Sequence, residues 1–70
     1  MPFDKECVKT VGLFEIYVPK EPHITDDDVY LARFAAFIQK GYLIQAESAI
    51  SAVSTDAPGY EFNMGLLKLL

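Results

Sequence analysis

The side chains able to do chemistry are few, and their spacing limits what each can do. His23 is the only histidine and stands between Pro22 and Ile24. A general base needs an orienting partner within hydrogen-bond reach, and Glu21 and Asp26 are its neighbours in sequence. A loop histidine at a helix start fits the same pattern and asks for less. Cys7, the only cysteine, has Lys5 and Lys9 nearby but no histidine beside it. Without a base to generate the thiolate it reads as a small packed or inert thiol. Glu15 lies between Phe14 and Ile16 and shares a strand face with Leu13 and Tyr17. Burying it unpaired would be costly, so it is expected at an edge or solvent-facing position.

Asp26, Asp27 and Asp28, with Glu21 before them, are the densest run of carboxylates. Consecutive positions on a helix point in different directions, so the three cannot converge on one cation. A calcium loop needs alternating ligands, a glycine and a distant glutamate, and that pattern is missing here. The aspartates are better explained by capping. Thr25 serves as N-cap, Asp28 stands three residues on, and Ile24 and Val29 have the spacing of a hydrophobic staple. Three acids in the first turn also suit the positive end of the helix dipole. Neither a metal nor a cofactor is expected, and no catalytic residue is assigned.

Nucleic acid is an unfavourable partner. The aromatics Tyr30, Phe34, Phe37 and Tyr42 follow helical spacing and have only Arg33 and Lys40 near them. A base-stacking platform needs more positive charge than that. The segment that would act as a recognition helix, Tyr42 to Ser54, has no arginine or lysine. The four glycines are scattered, so no loop cradles a phosphate. With 10 acidic and 6 basic residues the net charge is −4, which also disfavours anionic lipid. A basic protein partner is compatible with it.

The elements that must position these groups follow from periodicity. Val8 to Val18 reads as one strand with apolar residues on both faces, ended by Pro19 and Pro22. A helix is predicted from Asp26 to Lys40. Tyr30, Leu31, Phe34, Ala35, Phe37 and Ile38 fall on one arc of it, and Gly41 is the C′ residue. Tyr42 to Ser54 reads as a second helix in preference to a strand, because its alanines, Gln45 and Glu47 are poor strand formers. Thr55 to Gly59 is a turn. Tyr60, Phe62, Met64 and Leu66 then alternate with Glu61, Asn63 and Gly65, a half-buried strand pattern. The expectation is a small two-layer α+β domain, β-α-α-β (or β-α-β-β), with a short antiparallel sheet packed by one or two helices.

Residues 1–70 form one domain with no internal repeat. At 51% hydrophobic and 13% aromatic the chain is rich enough to fold. At this size it buries only roughly 60% of its unfolded surface, so its core is marginal. One cysteine allows neither an internal disulfide nor a cysteine-rich zinc site. Association with a partner is the remaining way to add buried area. Leu66, Leu67, Leu69 and Leu70 make the end of the chain expensive to leave in water, and open strand edges invite pairing. The functional expectation is a non-enzymatic protein-interaction or assembly module, a homo-oligomer or a binder of a larger protein. Its interface would use Tyr60, Phe62, Leu66, Leu67, Leu69 and Leu70. The alternative is a small-molecule binder or minor enzyme with a pocket near Glu15 and His23. Residues 1–9 lack the apolar run of a secretion signal and no stretch could span a bilayer, so a reducing cytoplasm is the expected location.

Overall fold

The computed structural model describes residues 3–70; Met1 and Pro2, part of the segment read against a secretion signal, lie outside it. A two-stranded antiparallel sheet is followed by three helices, a small α+β fold. The predicted class and the short antiparallel sheet packed by helices are both present. Their source in the sequence differs from expectation at two places.

Val8 to Val18 is a hairpin, not one strand: β1 (Val8–Val11) pairs with β2 (Phe14–Tyr17) in a register set by Val11↔Phe14 and Val8↔Tyr17. The connection is the two-residue loop Gly12-Leu13. Gly12 has φ +62°, and among the described residues no non-glycine has positive φ. Positive φ at the first central position alone is the signature of a type II′ turn, which matches the twist of the flanking strands. The sequence lacks the Asn-Gly or Asp-Gly pair that usually announces such a loop, and Leu13 at its tip is 96% exposed.

Helix α1 (Asp26–Lys40) has the predicted bounds. Thr25 Oγ1 accepts from the Asp28 N–H (3.2 Å), and Asp28 Oδ2 accepts from the Ile24 N–H (3.4 Å), one residue earlier than in a standard capping box. The expected staple is not made, because Ile24 is 84% exposed. At the other end Gly41, at φ +78°, donates to Ile38 O while Tyr42 donates to Phe37 O (2.9 Å), a Schellman motif. Helix α2 (Leu43–Ser51) follows at once, shorter than the expected Tyr42 to Ser54 at both ends, and the β-α-β-β alternative is excluded.

The segment from Tyr60 is helix α3 (Tyr60–Leu69) rather than the expected strand. Its inward residues are Tyr60, Asn63, Met64 and Leu67, spaced i, i+3, i+4, i+7, with Leu66 beside them. The polar Asn63 lies in the middle of that stripe and breaks the apolar helical period, while Tyr60, Phe62, Met64 and Leu66 imitate a period of two.

The core gathers Ile16 from β2, Leu31, Phe34, Ala35 and Ile38 from α1, and Ala46, Ala49 and Ile50 from α2, with Val53 after it. Apolar residues on both faces of the hairpin are accounted for. Ile16 faces the helices, and Tyr17 on the other face is covered by Phe3, ring centroids 5.1 Å apart. No helix among the described residues is long and apolar enough to cross a membrane.

Candidate functional site

The end of β2 is where the chain is most tightly constrained. The Val18 N–H donates to Cys7 O (2.8 Å), so with this register Tyr17 turns its own N–H and C=O away from β1. The side-chain amide of Asn63, fully buried, takes both: Oδ1 accepts from the Tyr17 N–H (2.8 Å) and Nδ2 donates to Tyr17 O (2.9 Å). One amide thus stands where a third strand would pair. Gly59, at φ +88°, lies so close to the Tyr17 ring that the ring fills the space a Cβ there would need. Tyr17 is therefore held by its backbone through Asn63 and by its ring against Gly59, which ties the start of α3 to β2.

Around this knot opens a groove of about 610 Å³. Its floor includes Cys7, Tyr17 and Leu31, and its walls include Pro19, Pro58 and the exposed Ile24. The N-terminal side is a short 3-10 turn, Lys5–Cys7, capped by Asp4. Asp4 Oδ1 accepts from the Glu6 N–H (2.9 Å), and Lys20 Nζ reaches Asp4 (3.2 Å) and Glu6 (2.9 Å). The Glu6 backbone amide first, and Lys20 second, hold the Asp4 carboxyl below its ordinary range. The same pairing, Glu6 first and Asp4 second, raises the Lys20 ammonium. Burial pushes the Tyr17 hydroxyl up, with the Cys7 thiol beside it adding to the shift. On the far side Asp27 Oδ1 accepts from the Ser54 N–H (3.0 Å), tying the loop before α3 to the start of α1.

The residues singled out for chemistry are not brought together. Cys7 is buried in the groove floor. His23 is half-buried and its Nε2 is closed off without a hydrogen-bond partner. Glu15 is exposed on β2 opposite Thr10. Neither Glu15 nor His23 lines any of the three cavities described for this molecule. Among the described residues no three histidine, cysteine or acidic side chains converge as metal donors. Of the aromatics, Phe34 is core, Tyr30 and Phe37 pack against it, and Arg33 lies over the Tyr30 ring at 5.7 Å.

The residues expected at an interface divide by exposure. Tyr60, Leu66 and Leu67 are partly buried against the core, whereas Leu69 is 87% exposed and Phe62 and Leu70 are also exposed. Phe62 packs on Phe3 with centroids 5.7 Å apart. A second apolar surface was not anticipated. The hairpin tip lies against the last turn of α1, since Gly12, Phe14, Ile38 and Gln39 line one shallow cavity. Helix α2 starts beside that turn. Leu43 and Ile44 at the start of α2 are exposed as well, the latter 85%. Leu13 takes its exposed place only because Val8 to Val18 folds as a hairpin with Gly12-Leu13 at its tip. No family model matches the chain, and no significant match is found among curated proteins or solved structures.

Proposed function

We propose that the chain is a non-enzymatic protein-interaction module that self-associates through apolar side chains at its surface. The observation that carries this reading is the exposure of Leu13, Ile44 and Leu69, each more than four-fifths open to solvent in a domain with little core to spare. Burying large apolar side chains against a partner removes that area from water. Phe62 in the first turn of α3 and Leu69 and Leu70 at its end supply such area on one helix; Leu13 at the hairpin tip and Leu43 and Ile44 at the start of α2 supply more. The strand edges contribute less than the apolar surface, because Asn63 already occupies the outer edge of β2 at Tyr17. An unpaired, buried Cys7 suits a reducing cytoplasm.

Sedimentation velocity on the wild type, on Leu13→Lys with Ile44→Lys, and on Leu69→Lys tests this. These side chains contribute little to the domain's own core, so the variants keep the wild-type far-ultraviolet dichroism. Loss of a concentration-dependent larger species in either variant supports the reading. A wild-type monomer at every concentration overturns self-association.

A further inference from the structure

We infer that the groove beside Tyr17 is a docking site for a short segment of a partner protein that combines apolar with lysine or arginine side chains. The groove adjoins Phe62 through Phe3, which lines it, and its occupancy does not depend on self-association. Its floor of Cys7, Tyr17 and Leu31 is apolar, and Pro19 and Pro58 narrow it without adding backbone donors. Its volume of about 610 Å³ falls within the roughly 300–1,000 Å³ of pockets that bury most of a small ligand. Ile24, 84% exposed at its margin, offers an occupant a further apolar side chain.

Charge selects the occupant. Four carboxylates, Asp4, Glu21, Asp27 and Asp28, and two ammoniums, Lys5 and Lys20, line the groove. Lys20 is held by Asp4 and Glu6, so its charge is matched within the protein. Glu21, exposed, and Asp27 and Asp28, half-buried, face one further ammonium, Lys5, so an excess of negative charge remains along the groove wall. Asp27 and Asp28 each lend one oxygen to a backbone N–H and keep the other. A partner with apolar side chains for the floor and cations for that wall complements both features, whereas an acidic or neutral segment satisfies only one.

The test is a nitrogen-15 amide titration of the full chain with a capped peptide, Lys-Leu-Pro-Leu-Lys-Lys, against its charge-reversed control, Glu-Leu-Pro-Leu-Glu-Glu. Saturable shifts are expected for residues 20–28 and 57–59 with the cationic peptide and not with the control. Glu21→Gln and Asp27→Asn, the latter keeping the acceptor for Ser54, should each weaken binding by about 1.5- to 5-fold. Raising sodium chloride from about 20 to about 300 mM should weaken it as well. Ile24→Ser, at an exposed position with no folding role, should reduce affinity without changing the salt dependence. Equal binding of the two peptides, or shifts confined to the hairpin tip and the end of α3, would overturn the inference. So would no saturable binding of the cationic peptide.

Discussion

Replacing Asn63 perturbs the fold where one side chain does the work of a strand. In Asn63→Ala the Tyr17 N–H and C=O both lose their partner while remaining inside the molecule. Each stranded group costs about 1–3 kcal/mol, so a loss of about 2–6 kcal/mol is expected from the two together, before any lost packing. A chain of this length has only about 3.5–10 kcal/mol in total, so the variant is marginal at room temperature. Asn63→Asp is the more discriminating change. It keeps the acceptor for the Tyr17 N–H but sets a carboxylate oxygen against Tyr17 O. Ionisation is disfavoured in the folded state, so the folded pKa of the new acid lies above its unfolded value of about 3.9. The stability of the protonated form is then fully present below about pH 3.9 and lost as pH rises through the folded pKa. A deficit of about 3 kcal/mol at neutral pH corresponds to a folded pKa near 6. Urea unfolding followed by far-ultraviolet dichroism, wild type beside variant at each pH, measures it. The difference from wild type should be largest at pH 7 and shrink steadily between about pH 6 and pH 4 as the acid hydrogen replaces the amide donor. A difference that is small throughout, or the same at pH 4 and pH 7, would refute the claim that Asn63 acts through its two bonds to Tyr17.

Other perturbations follow from the same geometry. Gly59→Ala places a methyl into the Tyr17 ring at positive φ and should cost roughly 2–5 kcal/mol in thermal or urea unfolding. Gly65→Ala, in open helical surroundings, should stabilise by about 0.5–1 kcal/mol. Thr25→Ala removes the cap of α1 and should cost about 1 kcal/mol. Burial raises the Tyr17 hydroxyl above 10.0, so the stability of its neutral form is complete below that pH and is lost as pH rises through the folded value. Tyr17→Phe should unfold less steeply than wild type above about pH 10, followed by dichroism across an alkaline titration.

What the sequence made legible is what depends on local rules. Helix α1 has the predicted ends because Thr25 and Gly41 fix them through short-range hydrogen bonds, and α2 follows from alanines and spacing. The hairpin was hidden because Gly12-Leu13 is an apolar turn within an apolar run, and the strand rule reads straight through it. Helix α3 was hidden by Asn63. A polar residue in the centre of a buried stripe makes sense only once its partner is known, and that partner is 46 positions away. The groove was hidden for the same reason, since its walls come from four separate segments. The apolar end of the chain was legible as residue type, but its division into packed Leu66 and Leu67 and exposed Leu69 and Leu70 required the helix phase.

The measurement that tests the central claim most directly is mass in solution by light scattering after size exclusion, over a hundredfold range of concentration. A self-associating module gives a species at or above twice the 7.8 kDa of one chain at the higher concentrations. That species shifts back toward one chain on dilution or in Leu69→Lys. A mass of one chain across the whole range, unchanged in the variant, would contradict self-association.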